Sequence, residues 1–295
     1  MDQKIKYPTK GKYIVAVSGG VDSLSLLDIL VRKGDYELIV AHFDHGIREY
    51  SYQDFKFVKS IAAKYNVEFV GKRAYLGANT SEEKARNFRY KFLKDILKSY
   101  NAKAIITAHH RDDLLETAIM NLIRGTGRKG LSSLSSSELI ERPLLAVDKN
   151  ELIYYANQNS ITWHEDSTNS NTQYLRNYIR QNIMTRLSKD NKQKLYNIII
   201  DQKAINDKID IILNTFLDYQ KPEELNRDLL KALPFKVSLE LIAEWLRFNK
   251  LANFNYKTIE SLTVRSKVKP SKTCLNIYSN HRIYLEKHKL SIIHN

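Results

Sequence analysis

Cysteine is nearly absent from this sequence of 295 residues, in which Cys274 is the single example. One thiol cannot form a disulfide within the chain, and it cannot build a cysteine-rich zinc site or hold an iron–sulfur cluster. A reducing compartment fits this composition. The first residues contain no apolar stretch of signal-peptide length, and no run approaches the ~20 apolar residues of a membrane helix. We therefore expect a soluble, cytoplasmic protein with no membrane partner.

Acidic residues are also scarce relative to basic ones. The chain has 33 Asp and Glu against 47 Lys and Arg, which gives a formal net charge of +14. Such an excess indicates a polyanionic partner, most commonly nucleic acid, although a lysine-rich surface that keeps the protein soluble is the alternative. Hydrophobic residues make up 43% of the chain, enough to build a core. The length allows one large domain or two smaller ones.

Short apolar runs alternate with helical patterns over the first part of the chain. The runs at residues 13–17, 38–42, 67–70 and 104–107 are predicted strands. Helical spacing of apolar residues separates them, and a helix is predicted over 80–100 with Thr80 as N-cap, Glu83 completing a capping box, and Phe88, Phe92, Leu93 and Ile96 on its apolar face. This order predicts an α/β fold with a doubly wound parallel sheet.

The alternation fades near residue 190. Helical patterns at 191–219 and 239–248 and a weakly alternating tail at 275–293, interpreted as a hairpin, follow. We therefore expect a catalytic domain over residues 1–195 and a smaller, mainly helical domain over 196–295. Basic and aromatic residues interleave in the second domain, at Trp245, Arg247, Phe248, Lys250, Phe254, Tyr256 and Lys257. We expect most of these aromatics to form its core and the cations to face RNA.

A phosphate-binding loop is predicted between the first strand and the first helix. It consists of Ser18, Gly19, Gly20, Val21, Asp22 and Ser23. The glycines allow a tight turn that brings backbone N–H groups to an anion, the helix N-terminus adds its dipole, and the two serines can donate hydrogen bonds. A carboxylate at Asp22 would repel phosphate unless a cation lay between them, which implies Mg²⁺. The loop has no Walker A lysine, and the simpler interpretation is an ordinary strand–turn–helix corner.

Polar side chains also follow the later strands. Asp44 and His45 come after the second strand, where a parallel sheet binds its ligands. Asp113 and Glu116, three residues apart on a helix, share one face and suit an ammonium group; the alternative is an acidic first turn stabilised by the helix dipole. His109, His110, Asp112 and Asp113 also suggest a metal-dependent hydrolase, although adjacent side chains at a strand end point to opposite faces.

Three arginines are candidates for stabilising negative charge. Arg89 has no acidic residue four positions before it to pair with, which makes it a better candidate than Arg86 for a carboxylate or phosphate ligand. Arg176 and Arg180 lie four apart on a predicted helix and so share a face, which suits the transition state of adenylyl transfer or an RNA backbone. The glycine-rich, basic segment at 124–130 is predicted to be a mobile loop, either a solvated helix end or a flap over phosphates or tRNA.

The loop resembles the pyrophosphate loop of N-type ATP pyrophosphatases, and further segments resemble the tRNA(Ile)-lysidine synthetases within that group. The segments occur in order between about residues 15 and 183, at 41–48, 83–90, 107–117, 124–127, 142–145, 165–169 and 176–180. The resemblance implies cleavage of ATP to AMP and pyrophosphate with Mg²⁺, adenylation of the wobble cytidine of tRNA(Ile) with a CAU anticodon, and attachment of L-lysine. It also implies that Asp22 holds the metal, that Asp113 and Glu116 position lysine, and that Arg89, Arg176 and Arg180 stabilise charge.

Other classes of protein remain alternatives. A related tRNA-thiolating enzyme would share the loop but typically carries cysteine pairs, which this chain lacks. A ligase acting on a small molecule, a metal-dependent hydrolase and a non-catalytic RNA-binding protein are further options. The sequence leaves the oligomeric state open, a homodimer included.

Overall fold

A computed structural model describes residues 1–46, 51–75, 77, 80–164, 175–218, 220–251, 256–278 and 281–294. The chain divides into two compact units: unit 1 comprises Met1–Arg124 and Ser132–Ile199, and unit 2 comprises Gly125–Leu131 and Ile200–Asn295. The sequence motifs at residues 47–48 and 165–169, and Phe254, lie outside the described residues. Within the part that is described, no helix is both long and apolar enough to cross a membrane.

Unit 1 is built on a five-stranded parallel sheet with strand order β3-β2-β1-β4-β5. Its elements, in chain order, are β1 (Gly11–Ala16), α1 (Val21–Lys33), β2 (Tyr36–Asp44), α2 (Ser51–Lys64), β3 (Glu68–Arg73), α3 (Glu82–Ser99), β4 (Ala104–Ile106), α4 (Arg111–Ile123), β5 (Ile140–Glu141), α5 (Lys149–Gln158) and α6 (Leu175–Tyr178). A π-helical turn, Ile179–Met184, follows α6, and α7 (Lys189–Asn214) begins in this unit.

Successive apolar residues of the central strand are buried on opposite faces of the sheet. Val15 packs in a cluster with α1, α2 and α5, whereas Ile14 packs in a second cluster with Phe92 and Leu93 of α3. The inner strands β1, β2 and β4 contain continuous apolar runs because both of their faces are covered. The predicted doubly wound parallel sheet is confirmed.

Details of the sequence-based prediction need correction at α3 and β5. The N-cap of α3 is Ser81, whose Oγ accepts the N–H of Lys84 at 3.3 Å, and not Thr80. Phe88 is 42% exposed and does not belong to the buried face, which consists of Phe92, Leu93, Ile96 and Leu97. The two-residue strand β5 carries too short an apolar pattern to be detected from sequence.

Unit 2 combines helices with an antiparallel sheet. Besides the second half of α7, it contains β6 (Glu224–Asn226), α8 (Arg227–Ala232), α9 (Phe235–Phe248), α10 (Tyr256–Val268), β7 (Thr273–Tyr278), β8 (His281–Leu285) and β9 (Lys289–His294). The strand order is β6-β9-β8-β7. The predicted hairpin in the tail is therefore present as β7 and β8, and β9 extends it. As expected, Trp245 belongs to the core at 1% exposure and Phe248 packs against it, but Tyr256 is 43% exposed and is not a core residue.

The basic segment 125–131 belongs to unit 2, where its cations are paired. Arg128 donates to Asp210 at 2.7 Å and to Glu240 at 2.9 Å, and Lys129 contacts Asp210 at 2.7 Å and Glu244 at 2.8 Å. The expectation of a mobile basic flap over phosphates is therefore wrong for these two side chains. Four ion pairs with α7 and α9 hold the segment in place.

Candidate active site

The carboxyl ends of three neighbouring strands of unit 1 meet at one edge of the sheet. The order β2-β1-β4 places the chain after Ala16, the chain after Asp44 and the chain after Ile106 side by side. In an open parallel sheet, this edge binds the ligand. The structure thus brings together the predicted phosphate loop, Asp44 and His45, and the His109–Asp113 segment, which are far apart in sequence.

The predicted phosphate loop turns sharply and presents a helix N-terminus. Gly19 has φ +95°, a conformation that residues with a side chain rarely adopt, and Gly20 precedes α1 as its N-cap. Because Gly20 has no side chain that could cap α1, the first N–H groups of the helix are available to an anion. The Ser23 hydroxyl accepts the N–H of Ser18 at 3.1 Å and donates to the carbonyl of Gly20 at 3.0 Å, which fixes the curve of the loop.

Asp44 and His45 form the next wall. Asp44 is 3% exposed, accepts the N–H of Gly46 at 2.8 Å and pairs with Arg73 at 3.0 Å. Gly46 has φ +61°, and a Cβ there would lie 2.4 Å from the carbonyl oxygen of Ala74. The turn after β2 therefore requires glycine, and it aims the Asp44–Gly46 segment at the ligand edge.

A first cavity of about 390 Å³ opens between these walls. Its lining includes Ser18, Asp22 and Ser23 of the loop, His42 to Gly46 after β2, Arg89 and Tyr90 of α3, and Thr107, His109 and Asp113. Arg89 lines this cavity, whereas Arg86 is not among its described lining residues. His42 is held by the carbonyl of Val17 at 2.8 Å, and burial lowers its pKa.

The pKa values of His109 and Asp113 are both lowered, which favours a neutral imidazole at His109 and a charged carboxylate at Asp113. Burial lowers the pKa of His109 to about 3, so this ring, 2.9 Å from the hydroxyl of Thr107, is neutral at neutral pH. Burial alone would raise the pKa of Asp113, but His110 and Arg176 favour the carboxylate and bring the pKa down to about 2. Asp113 accepts the backbone N–H of His110 at 3.0 Å and therefore caps α4 as well.

Glu116 lies one turn further along α4, and both of its oxygens contact arginines. Arg180 donates through Nε at 2.7 Å and through a terminal nitrogen at 2.9 Å, and Arg176 donates through Nε at 3.2 Å. The side chain of Glu116 is 2% exposed. The hydrogen bonds that Arg180 donates to Glu116 raise the pKa of the guanidinium.

Asp113 contacts the same two arginines more loosely. Its Oδ1 lies 3.8 Å from Arg176 and 3.6 Å from Arg180. The expected shared face of the two carboxylates and of the two arginines is thus seen. The arginines reach α4 from α6 and from the π-helical turn that follows it, whereas a single helix was predicted.

A second cavity of about 700 Å³ adjoins the loop and shares Ser18, Asp22 and Asp113 with the first. Two lysines that sequence reasoning did not single out line it. Lys149 contacts both oxygens of Asp22 at 2.6 and 2.7 Å, and Lys192 lies 3.7 Å from Asp112. Lone lysines carry no local pattern, and their placement depends on segments distant in sequence.

The residues around Asp22 fit a magnesium ion held together with phosphates. Mg²⁺ typically binds one or two carboxylates and takes further ligands from substrate phosphates and water. Asp22 is partly exposed at the loop, and its carboxylate and that of Asp113 flank His110 at 3.7 and 3.4 Å. By contrast, no group of three or more His, Cys, Asp or Glu side chains within the described ranges is arranged to hold a metal by itself.

Comparisons with known proteins agree with this architecture. The fold is similar to that of the U34-tRNA thiolase NcsA from Methanococcus maripaludis, with a TM-score of 0.56 and 20% identity over 67% of this chain and 73% of that one. Two tRNA(Ile)-lysidine synthases are similar in sequence: that of Thermosipho africanus is 42% identical over 183 residues, and that of Thermotoga maritima is 40% identical over 181.

These alignments cover 59% and 58% of this chain but only 43% and 44% of the relatives, so the match spans less than half of their length. The protein-family model that describes the PP-loop domain matches residues 1–187. This part of the chain contains every candidate site residue predicted from sequence. With this match over more than half of its length, and with the loop at the carboxyl edge of a parallel sheet, the chain belongs to the PP-loop family of ATP-binding domains.

Proposed function

We propose that this protein is a tRNA(Ile)-lysidine synthetase, an ATP-dependent ligase that joins L-lysine to the wobble cytidine of tRNA(Ile) with a CAU anticodon. The observation that carries this proposal is the convergence of a phosphate loop, two carboxylates and two arginines at one sheet edge. We infer the reaction type from the sequence similarity to the two lysidine synthases, which covers this same unit. A tRNA substrate also accounts for the net charge of +14, and we propose that the reaction takes place in the cytoplasm.

The first step is adenylation. Ser18 to Ser23 hold the phosphates of ATP, and Asp44 and His45 lie beside the nucleotide. Asp22 would hold Mg²⁺, which would neutralise phosphate charge when bound. The cytidine O2 attacks the α-phosphate, the bond to the bridging oxygen breaks, and pyrophosphate leaves. Arg89, Arg176 and Arg180 stabilise the charge that develops.

The second step is attack by lysine. Its ε-amine attacks C2 of the adenylated base, and AMP departs with the oxygen. Asp113, which lines both cavities, and Glu116, which lines the second, position the lysine ammonium or α-amine. Because the oxygens of Glu116 already contact Arg176 and Arg180, Asp113 is the carboxylate that contacts lysine more directly. The neutral imidazole of His109 lies beside it and adds no competing positive charge.

A thiolation reaction is less well supported. The fold is shared with a tRNA thiolase, but fold likeness at 20% identity does not carry the chemistry. The single cysteine, Cys274, lies on β7 in unit 2. Unit 1 therefore contains no thiol that could relay sulfur to the base or bind a cluster.

Mass analysis of the wobble nucleotide tests the proposal. The full chain is incubated with a tRNA(Ile) transcript bearing CAU, ATP, Mg²⁺ and lysine, and the nuclease digest is examined for lysidine. A transcript with U at position 34 is the control. We expect lysidine only with lysine and with C34, and AMP and pyrophosphate as the other products. Unmodified cytidine, or ADP and phosphate as products, would contradict the proposal.

We propose further that unit 2 binds the tRNA through a groove between α10 and β7. The groove measures about 380 Å³ and is lined by Lys257, Thr258, Ser261, Leu262, Arg265, Leu275 and Asn276. Lys257, Ser261 and Arg265 follow one another at four-residue spacing, so one face of α10 presents two cations and a hydroxyl to the groove. None of the described residues that line this groove carries a carboxylate, which suits a phosphate backbone.

Replacing the two groove cations tests this surface. Each of Lys257→Ala and Arg265→Ala should weaken tRNA binding and reduce the slope of log K against log salt by roughly 0.7–0.9 for each phosphate that the variant no longer neutralises. Lys236→Ala, which removes the same charge from an exposed position of α9, is the matched control. Equal effects of the groove and control variants would mean that the net charge, and not this groove, binds RNA.

A further inference from the structure

The ammonium group of Lys149 sits at the phosphate loop. Its Nζ contacts the two oxygens of Asp22 at 2.7 and 2.6 Å, across 127 residues of sequence. Both side chains are partly exposed, Lys149 at 35% and Asp22 at 27%. Lys149 lines the second cavity together with Ser18, Gly20 and Val21 of the loop. The lysine that a Walker A loop carries within its own sequence is here presented from the start of α5.

The backbone of Lys149 is fixed by contacts that do not involve its own side chain. Asp148 caps α5 by accepting the N–H of Asn150 at 2.8 Å, and Glu151 accepts the N–H of Asp148 at 3.0 Å. Arg111 pairs with Asp148, and Leu152 is fully buried. The start of α5 therefore keeps its place when the ammonium moves, and a variant without the ammonium should fold.

We propose that Lys149 binds the β- and γ-phosphates of ATP and the pyrophosphate that leaves. Asp22 holds the ammonium at the loop until a divalent cation takes the carboxylate. The two cations repel each other, so a divalent cation that binds an oxygen of Asp22 weakens the contacts that the ammonium makes there at 2.6 and 2.7 Å. The flexible four-carbon stem then lets the ammonium turn to the nearest anion, which is the phosphate chain in the loop.

This role rests on the proposed adenylation. As the cytidine O2 forms its bond to the α-phosphorus, the bond from that phosphorus to the bridging oxygen breaks, and the electron pair stays on the pyrophosphate. The ammonium of Lys149 stabilises that added charge without transferring a proton. Lys149 thus provides from α5 a charge that the loop sequence lacks.

Equilibrium binding to the full chain tests the proposal without tRNA or lysine. Isothermal titration calorimetry with Mg²⁺ present would measure pyrophosphate, a non-hydrolysable α,β-methylene analogue of ATP, and AMP, for the native chain, Lys149→Ala and Lys149→Arg. We expect Lys149→Ala to weaken pyrophosphate and the analogue by about 10-fold or more, the range of one charge-assisted hydrogen bond, with AMP within about 2-fold. Lys149→Arg should keep most of the affinity.

The matched control is Lys4→Ala, which removes an ion pair to Glu151 on the same helix, away from the loop. Unchanged or tighter binding of pyrophosphate in Lys149→Ala would overturn the proposal, since a lysine that only neutralises Asp22 competes with the metal and its removal helps binding. Equal loss of AMP and pyrophosphate would also overturn it, because the damage would then be to the whole cradle. A failure to form lysidine would leave these affinities untouched, so the two proposals fail separately.

Discussion

Replacing Glu116 by glutamine, which is neutral and of similar size, should strongly lower the free energy of unfolding of unit 1. Glu116 is 2% exposed, and it accepts three hydrogen bonds from Arg176 and Arg180. Glutamine keeps the size of the side chain but removes the charge, and its amide N–H groups would face guanidinium donors. The arginines would then be left beside α4 without the carboxylate that compensates them.

The magnitude follows from burial. Breaking a buried ion pair by removing one partner costs about 3–5 kcal/mol, because the other charge stays uncompensated. Arg180 is 38% exposed and Arg176 is 21% exposed, so water compensates part of the loss. We therefore expect Glu116→Gln to lower the free energy of unfolding by about 2–3 kcal/mol.

Urea unfolding, followed by circular dichroism and tryptophan fluorescence, measures this change. Glu37→Gln is the matched control, since Glu37 pairs with Lys12 at 2.8 Å but is 67% exposed, and its loss should stay within about 0.5 kcal/mol. In a double-mutant cycle, Arg180→Met should cost less in the Glu116→Gln background than in the native chain. A Glu116→Gln effect no larger than that of Glu37→Gln would refute the reasoning.

Two further predictions concern Asp113 and His109, which both line the first cavity. Asp113→Asn should raise the lysine concentration that the reaction requires by about 10- to 150-fold, because a charge-assisted contact of about 1.5–3 kcal/mol is lost. Adenylation of the tRNA in the absence of lysine should stay intact. Loss of adenylation with an unchanged lysine requirement would assign Asp113 to the ATP–metal site instead. Stability should fall between pH 7 and pH 5 by on the order of 1–2 kcal/mol, because the folded chain keeps His109 neutral to about pH 3 whereas the unfolded chain takes up a proton near pH 6.5. His109→Asn should flatten this loss, and His288→Asn, at a position that is 66% exposed, should not.

Local sequence was sufficient for features that depend on neighbouring residues. The strand β1, the turn at Gly19 and Gly20 and the start of α1 follow one another within the segment that the sequence identified. Buried parallel strands are continuous apolar runs, and a glycine pair before a helix is a local steric signal. Even the N-cap of α3 was misplaced by only one residue, because Thr80 and Ser81 are both good caps and local pattern cannot choose between them.

The ion pairs, by contrast, could not be predicted from neighbouring residues. The sequence predicted a mobile basic loop at 124–130, but Arg128 and Lys129 within it form four ion pairs with carboxylates of α7 and α9. The spacing of Arg176 and Arg180 indicated a shared face without indicating what it contacts. Their partner, Glu116, lies 60 and 64 residues away in sequence.

By itself, the sequence predicted the parallel α/β core and the phosphate loop, and it singled out the carboxylates and arginines as candidate site residues. These follow from hydrophobic periodicity, glycine geometry and motif order, which are properties of short segments. Only the tertiary structure decided which charges meet: Lys149 with Asp22, Arg180 with Glu116, and Arg128 with Asp210. The energy of an ion pair depends on distance and burial, and the fold brings together residues whose separation along the chain carries no information about either.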